Sequence, residues 1–399
     1  MARGPALWLG ALLLASLGGS SAPASLLRRL GEHIRRFQES SVLGLSLGPG
    51  VAARPREGWL EQPLDPFNAS DRRSFLQRYW ISDQHWASRD GPVFLHLGGE
   101  GSLGPGSVMR GHPAALAPAL GALVIGLEHR FYGLSIPAGG LNTTQLRFLS
   151  SRHALADVVS ARLELSRLLN VSSSSRWVCF GGSYAGSLAA WARLKFPHLL
   201  FAAVASSAPV RAVLDFSAYN EVVTHSLGQR CLSFSRAETL AQLRVTEPPV
   251  SGVGDRQWLY QTCTEFGFYV TCEDPTCPFS KLPALPSQLE LCEQVFGLST
   301  WSTVQAVAQT NSYYGGQTPV GTQVLFVNGD MDPWHVLSVT QDLGPSVSAL
   351  LIPNASHCLD MAPERSSDTP SLRLGRQSIL QQLQTWLQLA QKSLVRVGV

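Results

Sequence analysis

Three residues of this chain have the types and the order that acyl transfer requires. Ser183 lies in Gly181-Gly182-Ser183-Tyr184-Ala185-Gly186, with the apolar, strand-like "RWVCFGG" leading in and the helix-like "YAGSLAAWARLKF" leading out. A serine between a strand and a helix must take a strained backbone, which lifts its hydroxyl clear of the sheet. Small residues two before and two after keep that turn free of clashes, and Gly181 and Ala185 occupy those positions. A helix starting at Tyr184 aims its amide dipoles back at the serine, where they favour a developing oxyanion. The bare pattern is weak, since about one chance match is expected in a chain this rich in Gly, Ala and Ser. The flanking strand and helix raise it above the bland alternative, a tight corner with no catalysis.

A serine hydroxyl needs a base, and the base needs a group to orient it. Late in the chain two strand-like runs each end in a suitable residue. "TQVLFVNGDMDPW" supplies Asp330 and Asp332, and "SALLIPNASHCLDM" supplies His357. Imidazole has the pKa for shuttling a proton, and a buried carboxylate can fix its tautomer. A lone histidine after a strand is usually structural; here residue order and strand context agree with a Ser, carboxylate, His series. Periodicity does not choose between Asp330 and Asp332.

Residues so far apart need a scaffold that gathers strand ends. From residue 92 apolar strand-like runs ("PVFLHL", "ALVIGLEHR", "RWVCFGG", "FAAVASSAP") alternate with helical ones such as "RHALADVVSARLELSRLLN". Near the other end "RQSILQQLQTWLQLAQKS" places Ile379, Leu383, Trp386 and Leu387 on one helix face. This predicts the α/β class, with a mainly parallel sheet covered on both faces. The rhythm breaks in a cysteine-rich, proline-interrupted middle, read as a cap over residues 223–319 inserted between two strands. Residues 25–222 and 320–399 are then the two parts of the core. Trp334, Trp301 and Tyr313 are candidates for an aromatic wall of the cleft, with plain core packing an equal alternative.

The bulk properties narrow the setting. With 399 residues, 45% hydrophobic and 15% charged, the chain can bury a full core. A net charge of +3 with no Lys/Arg-rich run argues against a nucleic-acid partner. Arg3, an apolar run from Ala6 to Leu17 and then "GGSSAPA" form the layout of a secretory signal over residues 1–24. That run is too short to span a bilayer comfortably, and no later stretch is long enough either. Four sequons, at Asn68, Asn142, Asn170 and Asn354, fit the secretory route. Five of the seven cysteines fall between Cys231 and Cys292, which suggests local disulfides, and the odd count leaves one thiol over. Zinc at Cys272 and Cys277 has little support, because no histidines stand nearby at ligand spacing.

"GGSYAG", "EHRFYGLSIP", "HALADVV", "KFPHLLFAAVASSAP", "NGDMDPW" and "SHCLDM" together resemble the family of prolyl carboxypeptidase and dipeptidyl peptidase II, over nearly the whole mature chain. The resemblance implies an α/β-hydrolase domain with a helical, disulfide-stapled cap. It implies a serine peptidase acting on peptide substrates, at prolyl bonds, in endosomes and lysosomes, with antigen-peptide processing as a setting. No metal or organic cofactor is implied. By position it makes Ser183 the nucleophile, Asp332 the acid, His357 the base and Asp330 a loop residue, and it places the oxyanion hole at the amides of Tyr184 and Gly99.

The chain departs from the family in four respects. Ala185 stands where glycine is usual, and the cap is shorter, with its join near Asn220 to Ser226. Asn354 forms a sequon just before His357, and the proline preference depends on cap residues. The shortening leaves Cys263–Cys292 as the expected pair and Cys231 and Cys272 without partners. Two competing readings are a hydrolase-fold binding protein impaired by the short cap, and an esterase or lipase.

Overall fold

The computed structural model describes residues 54–220, 236–247 and 254–396, apart from 274, 276 and 278–283. The expected leader, Cys231 and most of the join lie outside the described residues.

In chain order the strands are β1 (Arg56–Pro63), β2 (Ser74–Ser82), β3 (Val93–Leu97), β4 (Leu123–Leu127), β5 (Trp177–Gly182), β6 (Ala202–Ser206), β7 (Val213–Asp215), β8 (Gly267–Tyr269), β9 (Val324–Gly329) and β10 (Val347–Ile352). The longer helices are α1 (Gly111–Leu120), α2 (Ser151–Leu168), α3 (Tyr184–Lys195), α4 (Arg236–Leu243), α5 (Asp255–Gln261), α6 (Leu285–Phe296), α7 (Thr300–Tyr314) and α8 (Pro370–Arg396). Eight strands form one sheet in the order β1-β2-β4-β3-β5-β6-β9-β10. Its first three pair antiparallel and the rest are parallel.

The parallel strands are buried because both faces are covered, and residues alternate between two cores. Trp177 and Cys179 of β5 face the core that holds α2 and α3; Val178 and Phe180 face the core that holds α1 and α8. β9 repeats this, with Val324 and Phe326 on one side and Leu325 and Val327 on the other. In α8, Ile379, Leu383 and Trp386 are buried against the second core, as their spacing predicts.

The chain leaves the main sheet after β6 and returns at β9. Within that excursion β7 pairs with β8 in a two-stranded parallel sheet. Helices α4 to α7 and a π-helical turn over Thr262–Phe266 complete its described part. Cys263 and Cys292 form a disulfide with their Cα atoms 5.7 Å apart. Cys272 does not lack a partner: it is bonded to Cys277, only five residues on. The expectation assumed a long-range partner, but the turn through Pro275 brings the nearby thiol within reach. Cys179 and Cys358 are free thiols.

Candidate active site

Ser183 joins β5 to α3 with φ 59° and ψ −131°, a conformation rarely adopted outside glycine. Neighbours on both sides hold it there: its amide donates to Ser206 O at 2.9 Å, and its carbonyl accepts from Ser187 N at 3.1 Å. The turn is so tight that a Cβ on Gly181 would sit 2.0 Å from the Ala185 carbonyl oxygen. Ala185 itself is accommodated because Gly99 faces it; even a Cβ on Gly99 would stand 3.4 Å from that of Ala185. This contact seats the loop after β3 against the first turn of α3. In that loop Gly98 N is committed to Leu127 O at 2.8 Å. Tyr184, as the first helical residue, has an amide with no intrahelical acceptor.

Asp332 follows β9 and His357 follows β10, two parallel neighbours, so their loops emerge side by side. The Asp332 carboxylate is fully buried. Its Oδ1 lies 2.8 Å from His357 Nδ1 and accepts Trp334 N at 3.0 Å, which caps the short helix Pro333–Leu337. With Nδ1 turned to the carboxylate, Nε2 is the free face of an imidazole whose side chain is 35% exposed. Burial lowers the pKa of His357, but the hydrogen bond to Asp332 and the neighbouring Cys358 outweigh it, and the net shift is upward. Asp330 points elsewhere. Its Oδ1 accepts Asn354 N at 2.6 Å, tying the aspartate loop to the histidine loop. Cys358 N donates to Ser207 Oγ at 2.9 Å, next to the Ser206 that holds Ser183.

The three candidates therefore share one strand-end cluster, but the contacts are unequal. Asp332 and His357 are hydrogen-bonded. Among the described residues no hydrogen bond joins the Ser183 hydroxyl to His357. Loose serine–histidine geometry is common before substrate binds.

Further residues support the site that spacing alone did not single out. The Tyr184 phenol lies 3.0 Å from His129 Nε2 and accepts from Gln261 Nε2 at 2.9 Å. His129 Nδ1 lies 2.7 Å from Arg130 O and so carries the proton, leaving Nε2 to accept from the phenol. Burial pushes the His129 pKa down to about 4, in keeping with this neutral form. Tyr132 extends the chain by donating to Gln261 Oε1 at 2.7 Å. Short motifs such as "EHRFYG" mark the stretch, but nothing in their spacing reveals that His129 supports the residue after the nucleophile.

Of the aromatic candidates only Trp334 is at the site, with ring contacts to His357, Phe216, Tyr219 and Phe268. Trp301 and Tyr313 are not part of that wall. Trp301 is 71% exposed on α7, and Tyr313 lies under the cations of Arg152 and Lys195. Their helix directs them outward, while Trp334 sits two residues from Asp332.

This strand order, with a strained serine after β5, an aspartate after β9 and a histidine after β10, defines an α/β-hydrolase. The sequence profile of the serine carboxypeptidase S28 family matches residues 62–230 and 224–379. The chain belongs to that family and is a serine-type peptidase. It is 63% identical to the thymus-specific serine protease of Homo sapiens over 504 aligned residues, covering 98% of each chain. Against the lysosomal Pro-X carboxypeptidase of Bos taurus it is 24% identical over 449 residues, covering 85% of this chain and 89% of the relative. Among solved structures, the carboxylesterase EstE1 covers 91% of this chain and 98% of its own at 14% identity, with a TM-score of 0.48.

Proposed function

We propose that Ser183 is the nucleophile, His357 the general base and Asp332 the group that orients it, with the amides of Tyr184 and Gly99 receiving the oxyanion. One contact carries this reading: Asp332 Oδ1 at 2.8 Å from His357 Nδ1, beside a serine held at positive φ. Asp332 keeps the proton on Nδ1, so Nε2 takes the serine's proton as Oγ attacks the peptide carbonyl. The same nitrogen returns it to the leaving amine, and water then releases the acyl-enzyme by the reverse path. These steps call for no metal or organic cofactor.

The substrates in this reading are peptides cut at prolyl bonds. The name of the Pro-X carboxypeptidase relative supports this, as do the half-buried rings of Trp334 and Tyr219, which suit a flat apolar ring. The endosomal or lysosomal pathway is supported by that relative's name, by two disulfides, and by the exposure of Asn68, Asn142, Asn170 and Asn354. The thymus-specific relatives make antigen-peptide processing a fitting setting. A shortened cap is supported by the family match, which breaks into two segments around residues 224–230, and by an alignment longer than the chain itself. Loss of that wall opens the cleft and relaxes substrate selection.

The test is labelling with a fluorophosphonate, followed by peptide and ester substrate profiling. Wild-type protein should label and Ser183→Ala should not, and prolyl peptides should be cut faster than esters. Equal labelling of both proteins would sink the assignment; no labelling of the folded wild type would favour a binding role.

A further inference from the structure

We propose that Asp360 is a positioning residue of the catalytic group: through a buried hydrogen bond to Ser206 it holds the histidine loop to the end of β6, and so sets the gap between His357 and Ser183. The proposal rests on the Ser183–His357–Asp332 reading above.

The need for such a tie follows from the strand order. β5, β6, β9 and β10 are successive neighbours, with Ser183 after the first and His357 after the last. The histidine loop must therefore reach back past the ends of β9 and β6 to meet its serine. Three hydrogen bonds fasten it to the loop after β9: Asp332 to His357, Asp330 to Asn354 N, and Met331 N to Ala355 O at 3.1 Å. None of these reaches β6 or β5.

Two others do span that distance. The Ser206 hydroxyl donates to Asp360 Oδ1 at 2.5 Å, and Cys358 N donates to Ser207 Oγ at 2.9 Å. Ser206 is the last residue of β6, and its carbonyl accepts Ser183 N at 2.9 Å. One residue thus holds the nucleophile with its backbone and the histidine loop with its side chain. Ser206 and Asp360 are both buried, so water does not compete for either partner. Arg376 of α8 donates to the carbonyls of Asp360, Leu359 and Ala362 at 3.0, 3.1 and 2.9 Å, which fastens the same turn to α8 but not to β6. The loop is drawn in so closely that a Cβ on Gly182, the residue before the nucleophile, would stand 2.9 Å from Cys358 Sγ. Ser207 and Cys358 both take positive φ, 47° and 54°, a conformation that persists only where the surroundings impose it.

Asp360 acts through its loop, so its loss should slow the chemical step and spare binding. A shift of about 1 Å in a catalytic group can cost about a hundredfold in rate. The time course of fluorophosphonate labelling reads that step: Ser183 Oγ bonds to phosphorus, fluoride leaves and His357 takes the hydroxyl proton. Ser206→Ala removes one oxygen, and Asp360→Ala removes the whole acceptor. Each should lower the labelling rate at saturation by about ten- to a hundredfold, with the half-saturating concentration within about twofold of wild type. The double variant should lose no more than the worse single one, since both remove the same bond. Asp360→Asn keeps Oδ1 and places its amide where Oδ2 has no partner among the described residues, so it should recover most of what Asp360→Ala loses.

A merely structural bond would lower the melting temperature and leave the labelling rate of the folded variants at the wild-type value, and that result would overturn the proposal. Single losses that multiply in the double variant would overturn it too, as would an Asp360→Asn protein as slow as Asp360→Ala. If Asp360→Ala does not fold, Ser206→Ala decides alone by the same readout. Labelling that persists in Ser183→Ala would instead overturn the nucleophile assignment, so the two failures are distinguishable.

Discussion

The guanidinium of Arg130 and the carboxylate of Asp157 meet side by side, Nε 2.7 Å from one oxygen and Nη2 2.6 Å from the other. Both are buried. The remaining donors of Arg130 reach the carbonyls of Leu64, Phe148 and Pro63, so one side chain fastens β1, α2 and the loop after β4. That loop carries His129, which supports Tyr184. Asp157→Ala leaves an uncompensated buried guanidinium and should cost about 3–5 kcal/mol. Arg130→Lys should not rescue the fold, because one ammonium cannot span both oxygens and three carbonyls. Urea denaturation midpoints check both.

Asp330 and Asp332 are two residues apart and do different things. Asp332→Asn should lower kcat by about 10⁴-fold with the fold intact, because the imidazole loses the carboxylate that sets its tautomer. Asp330→Asn removes a charge from a loop contact to Asn354 N and should stay within about tenfold of wild type. Steady-state kinetics on one peptide substrate compare the two; equal losses would contradict the assignment.

Glu265 is buried and accepts Ser151 N at 2.8 Å and Ser151 Oγ at 2.6 Å. Burial, partly offset by those bonds, pushes its pKa from 4.5 up to about 7. The folded value lies above the unfolded one, so the native state holds a proton that the unfolded chain gives up. This contribution is fully present below pH ~4.5 and is lost as pH rises through ~7. Wild-type protein should therefore lose up to about 3 kcal/mol relative to Glu265→Gln between those limits. A stability difference that stays constant with pH would show that Glu265 keeps an ordinary ionisation.

The two disulfides close loops of unequal length, spanning 29 and 5 residues. On the chain-entropy account, removing Cys263–Cys292 should cost about 3–4 kcal/mol and removing Cys272–Cys277 about 2. Thermal melting of the paired Cys→Ala variants orders them. The cap helices α5 and α6, which the longer loop joins, should lose amide-exchange protection first in the Cys263/Cys292 variant.

Much of this protein could be read along the chain because the determinants are local. Runs such as "LVIGL" and "VLFVNG" need both faces covered and announce buried parallel strands. The small residues around Ser183 announce a turn that only small residues permit: a methyl at Gly181 would meet the backbone of Ala185. The order of serine, aspartates and histidine, each after a strand, was equally plain. Only the tertiary structure decided which aspartate reaches His357, since two carboxylates on one loop differ in direction and not in pattern. It also decided that Cys272 takes Cys277, that Trp301 faces solvent while Trp334 faces the imidazole, and that Arg130 finds Asp157. Contacts between distant loops depend on which strand ends are neighbours, and no period or spacing in a single segment encodes that.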